Sequence, residues 1–167
     1  VLFDRIAPDR VVGCIAYPAA TIAEPGVIRH IEGNRFPLGE LDGSESSRVG
    51  NISSLFEEAG FKARVLTDIR SEIWLKLWGN LTFNPISAVT HATLVDICKF
   101  PLTRELAATL MTAAQAIGER LGAGFRVPME RRISGAEGVG KHKTSMLQDV
   151  EAGKPLEIDG MLGVVVE

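Results

Sequence analysis

The sequence predicts an α/β segment over residues 1–68, followed by an all-α segment over residues 69–167. Three observations predict this fold class. In the first segment, short runs of β-branched and apolar residues alternate with turn signals and one helix. These strand signals stop near Thr67 and Asp68. Beyond that point, apolar residues recur at spacings of three and four, which is the pattern of amphipathic helices.

The first segment contains four predicted strands and one predicted helix. Pro25-Gly26 marks a turn, and Gly33-Asn34 indicates a hairpin between the second and third strands. The helix ends before Gly60, a typical C-terminal glycine. A strand, a helix and a strand in succession indicate a parallel crossover, and hence part of an α/β sheet domain. The predicted strands cover residues 11–17, 27–31, 36–40 and 61–66, and the helix covers residues 44–59.

The second segment is predicted to be helical, apart from a polar, glycine-bearing loop or short helix over residues 126–140. Pro85 lacks a backbone donor and should kink the first helix or split it from the next. Pro101 fits the start of a third helix, and Gly122 fits its end. The predicted helices cover residues 71–85, 86–97, 101–121, 144–153 and 157 onward.

Composition excludes several classes of partner and site. Of the 167 residues, 46% are hydrophobic, which predicts a packed core, and the net charge of -3 provides no basic field for nucleic acid or an anionic membrane. No apolar run approaches the roughly 20 residues that a membrane-spanning helix needs. Cys14 and Cys98 are isolated, which indicates buried thiols in a reducing compartment and therefore a cytoplasmic protein. His30, His91 and His142 lack metal-ligand spacing, so no metal site is predicted.

The two ends of the chain indicate a piece of a longer protein. The sequence begins at Val1 rather than at a methionine, and it finishes in an apolar run without a helix stop signal. A cut at both ends is therefore expected.

A row of polar residues marks the first helix of the second segment. Glu72, Lys76, Asn80 and Asn84 follow one another at intervals of four, so they are stacked on one helix face. Asn is a mediocre helix former, and a face exposed only to water would more readily carry Glu, Gln, Lys or Arg. Lys offers three donors and a movable proton, and Asn offers both a donor and an acceptor. The row is either a solvated stripe or a site that holds and protonates an oxygen-rich small molecule.

Two further polar residues lie at predicted helix starts. Ser145 begins the sequence SMLQ, which matches the capping-box pattern. It either caps the helix or contributes to a carboxylate site at the helix N-terminus, where free N–H groups carry partial positive charge. Glu157 lies at another helix start, where the helix dipole favours an acid. It either fills that role or faces a lysine or sugar hydroxyls.

Three separated motifs in the second segment carry a resemblance to a known family. They are W-x-K-x-x-x-N-x-x-x-N-P over residues 74–85, H-x-T-S-M-L-Q-D-V over residues 142–150, and E-I-D over residues 157–159. Together they resemble the ketopantoate reductases, also called 2-dehydropantoate 2-reductases. The resemblance covers essentially the whole chain. It implies that residues 1–68 are the C-terminal part of a Rossmann-type nucleotide-binding domain, and that residues 69–167 are most of a helical substrate-binding and catalytic domain.

The resemblance implies an activity and a role for each site residue. Family members reduce a 2-oxo acid to a 2-hydroxy acid with hydride from NADPH, here 2-dehydropantoate to pantoate in pantothenate and coenzyme A biosynthesis. Lys76 would be the general acid that protonates the ketone oxygen. Asn80 and Asn84 would hold substrate hydroxyl and carbonyl groups, and Ser145 would bind the region of the substrate carboxylate. Glu157 would contact the lysine, the substrate or the cofactor's ribose.

The resemblance also defines what is missing and which alternatives remain. The family's glycine-rich cofactor loop, and a substrate-contacting Asn after it, would lie before Val1, so residues 1–167 alone are expected to be inactive.

One alternative function is that of a paralogue that reduces another 2-oxo acid, with selectivity set by residues such as Phe83, Ser87 and Ala88. Another is a non-catalytic helical module that forms a homodimer, although a core role is more common for such a helix face. The apolar stripe that would serve it is Leu106, Leu110, Ala113, Ile117 and Leu121.

Overall fold

The computed structural model describes residues 5–167 and contains two compact units, one ending at Ile73 and one beginning at Trp74. Val1, where a cut is expected, lies outside the described residues. The first unit contains a 3₁₀ turn (Pro8–Arg10), strands β1 (Val12–Cys14), β2 (Ala19–Glu24), β3 (Val27–Glu32) and β4 (Leu38–Glu40), and helix α1 (Ser47–Glu58). Helix α2 (Ile69–Thr90) continues from the first unit into the second. The remaining elements are α3 (Leu94–Lys99), α4 (Pro101–Arg120), α5 (Met129–Gly138), α6 (Ser145–Glu151), a π-helix (Asp159–Gly163) and α7 (Val164–Val166). The domain boundary at residue 68 stays a prediction.

The strands of the first unit form two antiparallel pairs that follow one another along a ribbon. β2 pairs with β3 across the turn at Pro25-Gly26, where Gly26 has a φ of 80°. β1 pairs with β4. A backbone hydrogen bond of 3.0 Å from Tyr17 N to Arg35 O extends this second pairing beyond the ends of β1 and β4. The strand predicted over residues 11–17 is therefore present, with its regular part limited to β1.

The predicted hairpin at Gly33-Asn34 is wrong. The chain reverses at the Pro25-Gly26 turn instead, and β3 pairs with β2, a strand that the sequence analysis missed. Gly33 has a φ of 78°, and a Cβ atom there would lie 3.2 Å from Tyr17 O. The glycine therefore permits residue 33 to approach the backbone of Tyr17 closely in an irregular conformation. A local glycine signal does not distinguish such an irregularity from a turn that reverses the chain.

A parallel crossover follows the ribbon, as predicted. Leu38 of β4 forms a parallel bridge with Val65, and α1 lies between them in sequence. Ser46 caps α1 by accepting a hydrogen bond of 3.2 Å from Val49 N. Gly60, with a φ of 88°, follows the C-terminal end of α1. The strand predicted over residues 61–66 is present only as isolated parallel bridges at Lys62 and Val65. The crossover therefore ends in these bridges and not in a continuous strand.

Glu40, the last residue of β4, is only 5% exposed and carries an ion pair. Arg48 of α1 donates to its two carboxylate oxygens from Nε at 2.7 Å and from Nη2 at 2.6 Å. The Ser46 hydroxyl donates to the same carboxylate. The hydrogen bond from Arg48, followed by that from Ser46, lowers the pKa of Glu40 from its ordinary 4.5 to about 2. The carboxylate therefore links β4 to the start of α1.

We expect this ion pair to make the protein sensitive to acid. Because the pKa of Glu40 is lower in the folded state, its contribution is complete above pH 4.5 and is lost as the pH falls toward about 2. The variant Glu40→Gln should therefore lose less unfolding free energy than the wild type across this range. Denaturant titrations at several pH values measure the difference, with Glu45→Gln as the control at an exposed acid. Parallel pH profiles for Glu40→Gln and the wild type would contradict this account.

Helix α2 starts and ends differently from its prediction. Asp68 Oδ1 accepts a hydrogen bond of 3.1 Å from Ser71 N at its start. Of the two effects predicted at Pro85, a kink or a split, the split does not occur, because the helix continues through the proline to Thr90. A proline removes one helical hydrogen bond, and tertiary packing of α2 outweighs that loss.

The predicted helix over residues 86–97 is interrupted. His91 has a φ of 56°, which ends the helical path after α2. A capping box formed by Thr93 and Asp96 then starts α3. The capping box is a local signal that the sequence contains, but apolar residues keep helical spacing across it. That spacing predicted one continuous helix where the chain has a break.

Helix α4 has the predicted bounds but buries a different face. Pro101 is its first residue, and Gly122, with a φ of 84°, follows its end. Leu106 and Leu121, which belong to the predicted stripe, are 48% and 67% exposed. A Cβ atom at Gly118 would lie 2.8 Å from the Phe125 ring, so small residues allow the close packing of this helix. The buried positions are Ala107, Met111, Ala114 and Gly118.

One hydrophobic core holds the second unit together. It includes residues from α2 through the C-terminal π-helix. The short helix that was one option for residues 126–140 is present as α5, and α6 lies within the predicted range. No helix among residues 5–167 is both long and apolar enough to cross a bilayer. Its buried members include Trp78, Phe83, Ile97, Met111, Ile133 and Met161.

Candidate active site

Trp78 fixes the position of α2 in the helical unit. Its side chain is fully buried, and its indole Nε1 donates a hydrogen bond of 2.7 Å to Met111 O on α4. The Phe125 ring packs edge-on against it, with 4.9 Å between ring centroids. A large side chain held in this way prevents α2 from rotating about its axis. The faces presented by the rest of α2 are therefore defined by the core.

Lys76 lies two residues before Trp78 and is half-buried. Burial lowers the pKa of its ammonium group below the ordinary 10.5, because partial loss of water disfavours the charged form. Lys76 is not a member of the hydrophobic core cluster. An amine in this setting releases its proton more readily than a surface lysine does, as a general acid must.

Asn80 and Asn84 continue the row on α2, one and two turns after Lys76. Asn84 is only 5% exposed, and its Nδ2 lies 3.8 Å from the Met161 sulfur in the π-helix. Asn80 is half-buried, and its amide makes no hydrogen bond to another group among residues 5–167. One amide therefore contacts the C-terminal helix, and the other keeps its donors and acceptor for a ligand.

Ser145 is the first residue of α6, not its cap. The cap is Thr144, which is buried and whose Oγ1 accepts a hydrogen bond of 3.2 Å from Leu147 N. Of the two roles that the sequence left open for Ser145, the capping role is wrong, because two adjacent hydroxyl residues both fit a capping signal and the sequence does not distinguish them. Ser145 is exposed, and within the described chain its hydroxyl is not used in a protein hydrogen bond.

Glu157 precedes the π-helix, close to the predicted helix start. Its backbone oxygen accepts a hydrogen bond of 3.1 Å from Met161 N. Its side chain is exposed, and the structure of residues 5–167 gives it no hydrogen-bonding partner. An uncommitted carboxylate can accept hydrogen bonds from the hydroxyls of a ribose, so this residue fits a nucleotide cofactor. π-Helical turns are frequent at functional sites.

The structure brings together only part of the predicted set by direct contact. Asn84 touches Met161, which is hydrogen-bonded through its backbone to Glu157. Ser145 is linked indirectly, because its neighbour Met146 belongs to the same core cluster as Trp78 and Met161. The described side-chain hydrogen bonds do not join Ser145 or Glu157 to the row on α2.

Two residues at the site escaped the sequence analysis. Met161 lies just after the E-I-D motif, and a thioether carries no signal that it would meet an asparagine. Arg132 of α5 lies against Gly79 of α2: a Cβ atom at residue 79 would be 3.1 Å from its Cζ and 3.3 Å from its Nε. A glycine in the middle of a helix was the available signal, since it marks a place where another group approaches closely.

Comparison with known proteins places these residues in a family. Residues 68–167 match the family model described as the ketopantoate reductase PanE/ApbA C terminal. A 2-dehydropantoate 2-reductase of Mesorhizobium japonicum is 54% identical over 166 residues, which are 99% of this chain and 51% of that protein. The chain spans about half the length of the curated relatives it matches.

Solved structures agree on the fold. The crystal structure of 2-dehydropantoate 2-reductase from Methylococcus capsulatus matches with a TM-score of 0.82 and 30% identity, covering 93% of this chain and 50% of that one. D-Mandelate dehydrogenase in complex with NADH matches with a TM-score of 0.85 at 17% identity, covering 99% of this chain and 57% of that one, which shows a shared fold. An α/β segment followed by a helical segment is the arrangement that the sequence predicts. The chain belongs to the ketopantoate reductase family.

Proposed function

We propose that the protein that carries this chain reduces 2-dehydropantoate to pantoate with NADPH, in pantothenate and coenzyme A biosynthesis. Family membership supports the substrate class. The observation that carries the proposal is the half-buried Lys76, whose pKa is lowered by burial and whose helix is fixed by Trp78. We take residues 1–68 as the end of the nucleotide-binding domain and residues 69–167 as the helical catalytic domain.

Lys76 acts as the general acid of this reaction. NADPH, when bound, supplies a hydride, which brings two electrons to the carbonyl carbon of the substrate. As that carbon accepts the hydride, its oxygen gains negative charge, and the Lys76 Nζ donates a proton to it. The alcohol is then complete, and water returns a proton to the amine. A preorganised ammonium beside the developing charge lowers the barrier because it interacts more strongly with the transition state than with the ketone.

The neighbouring polar residues hold the substrate and the cofactor. Asn80 and Asn84 donate to and accept from the substrate hydroxyl and carbonyl groups, and Ser145 binds near its carboxylate. Glu157 contacts Lys76 or accepts hydrogen bonds from the cofactor ribose. A carboxylate near the lysine would also help it to keep its proton before the hydride arrives. The uncommitted side chains of Asn80, Ser145 and Glu157 support these roles.

A substrate panel tests the proposed function. The protein that carries this chain is assayed with several 2-oxo acids, including 2-dehydropantoate, and with NADPH and NADH. We expect the highest kcat/KM with 2-dehydropantoate and NADPH. A preference for another 2-oxo acid would identify a paralogous reductase, and no turnover of any 2-oxo acid would contradict the proposal. Residues 1–167 alone serve as a comparison, for which we expect no turnover.

We infer cytoplasmic location and no nucleic-acid partner from the chemistry of the chain. Cys14 and Cys98 are free thiols, which a reducing compartment preserves. Cys98 is buried as predicted, but Cys14 is exposed, so the prediction of a buried thiol is wrong at that position. The net charge of -3 gives no attraction to phosphate backbones. These inferences agree with an enzyme that acts on a small metabolite.

We further infer that α4 contributes to a homodimer. Leu102, Leu106 and Leu121 of this helical region are 67%, 48% and 67% exposed, and exposed apolar patches often mark interfaces. Light scattering should give twice the monomer mass for the wild type and a lower mass for Leu106→Asp. The exposed Thr112→Asp, which lies on a different side of the same helix from Leu106, is the control. A monomeric wild type would contradict the inference.

A further inference from the structure

Asn84 is a polar residue of the second unit whose side chain is almost completely buried. It is 5% exposed and lies in α2, two turns after Lys76. Its Nδ2 lies 3.8 Å from the sulfur of Met161, a buried residue of the π-helix. Within residues 5–167, no group donates a hydrogen bond to the Oδ1 of Asn84. Because a buried acceptor without a donor is unfavourable, this oxygen favours a ligand that brings an O–H or N–H group.

The thioether of Met161 determines which end of the Asn84 amide faces it. The nitrogen and the oxygen of an asparagine amide are similar in size, so packing alone hardly distinguishes the amide from its rotated form. A thioether sulfur is a weak acceptor and has no hydrogen to donate. The N–H groups of Asn84 are therefore attracted to the sulfur, whereas its Oδ1 would be repelled by the sulfur lone pairs. Since both atoms are bonded to the same carbon, placing Nδ2 at the sulfur turns Oδ1 away from Met161.

The position of the Met161 sulfur is fixed by the core of the second unit. Met161 is a buried member of the hydrophobic cluster that also contains Trp78 and Phe83. Close packing limits the rotamers that its otherwise flexible side chain adopts. Its backbone N donates a hydrogen bond of 3.1 Å to Glu157 O. The sulfur that faces Asn84 is therefore held in place by the same short segment that carries Glu157.

We propose that Met161 is a positioning residue, which orients Asn84 so that its carbonyl oxygen accepts a hydrogen bond from a hydroxyl group of the substrate. This inference rests on the proposed function, in which Asn84 contacts the substrate. It assigns one direction to that contact: Asn84 accepts, so it recognises a 2-oxo acid that carries a hydroxyl donor. 2-Dehydropantoate is such an acid, and trimethylpyruvate is the analogue in which a hydrogen replaces that hydroxyl.

The test compares kcat/KM for 2-dehydropantoate and trimethylpyruvate in variants of the protein that carries this chain. The wild type should prefer the hydroxylated acid. Met161→Leu nearly keeps the side-chain volume and removes the acceptor, so the amide can rotate and this preference should fall by about 2- to 10-fold, which is what one uncharged hydrogen bond contributes. Because trimethylpyruvate lacks the hydroxyl, its kcat/KM should stay within about twofold of that of the wild type.

Met111→Leu is the matched control. Met111 is a fully buried methionine of the same core, and its sulfur makes no hydrogen bond within the described chain. The same substitution there removes a buried thioether that does not face Asn84. The Met111→Leu protein should therefore keep the wild-type preference for the hydroxylated acid.

A double variant separates orientation of the amide from packing. Asn84→Ala removes the amide, so adding Met161→Leu to it should change the preference by no more than about twofold. Equal losses for both acids in Met161→Leu, an unchanged preference, or a wild type that does not favour the hydroxylated acid would overturn the proposal. Failure of the proposed function is a different result: a wild type that reduces no 2-oxo acid contradicts that function, and this inference with it.

Discussion

Replacing Lys76 with alanine should lower kcat for 2-oxo acid reduction by about two to four orders of magnitude, the range that positioned general acids contribute. The reason is that the oxygen of the ketone gains charge as the hydride arrives, and no other ammonium of α2 can neutralise it. Steady-state kinetics with saturating 2-dehydropantoate and NADPH measure the loss. Lys99→Ala, at an exposed lysine in the last turn of α3, is the control and should leave kcat unchanged.

The same variant should remain folded. Lys76 is half-buried and does not belong to the hydrophobic core cluster, so its loss leaves the packing of α2 in place. Thermal unfolding should therefore show a melting temperature close to that of the wild type. A Lys76→Ala enzyme with near-normal turnover would remove the general-acid role.

Replacing Trp78 with alanine should lower the free energy of unfolding by about 3 to 5 kcal/mol. The side chain is fully buried, packs against Phe125 and donates to Met111 O, so truncation leaves a cavity and removes the hydrogen bond. Denaturant unfolding monitored by circular dichroism measures the change. Because Trp78 also fixes α2, the surviving folded enzyme should show a reduced kcat.

Two variants separate the contributions at this position. Trp78→Phe keeps an aromatic ring and removes the indole donor, so it should lose about 0.5 to 1.5 kcal/mol for the hydrogen bond, plus a smaller packing term. Val89→Ala, at an 84% exposed site on the same helix, should change stability by less than about 0.5 kcal/mol. A Trp78→Ala protein as stable as the Val89→Ala protein would show that the tryptophan does not anchor the helix.

Much of the fold follows from local signals in the sequence. Gly60 and Gly122 adopt positive φ values after their helices, and Pro101 begins α4, because each of these residues suits one backbone geometry. The wrong predictions arise where one residue type is compatible with two different backbone structures. Gly33 permits an irregular ribbon rather than a reversal of the chain, and Pro85 lies within a helix that packing sustains.

The candidate site shows the same division between local and distant information. Lys76, Asn80 and Asn84 are predictable as a row, because helical geometry stacks residues at intervals of four. The contacts of Met161 with Asn84 and of Arg132 with Gly79 join residues 77 and 53 positions apart in sequence. No periodicity links such positions, so only the folded chain reveals them.

The face of α4 illustrates a limit of hydrophobic patterning. Leucine and isoleucine mark the most apolar stripe, but the buried face places three small residues, Ala107, Ala114 and Gly118, around Met111. Close helix packing requires small residues, whereas hydrophobicity alone favours large ones. A prediction based on apolar spacing therefore selected the neighbouring stripe, which remains available for another surface.

The pH dependence of kcat for reduction of 2-dehydropantoate tests the role of Lys76 most directly. Reduction requires the protonated amine, and burial lowers the pKa of Lys76 from its ordinary 10.5. The wild type should therefore lose kcat as the pH rises through a value below 10.5, while the residual rate of Lys76→Ala lacks that transition. An alkaline transition that is retained in Lys76→Ala, or its absence from the wild type, would contradict the assignment of Lys76 as the proton donor.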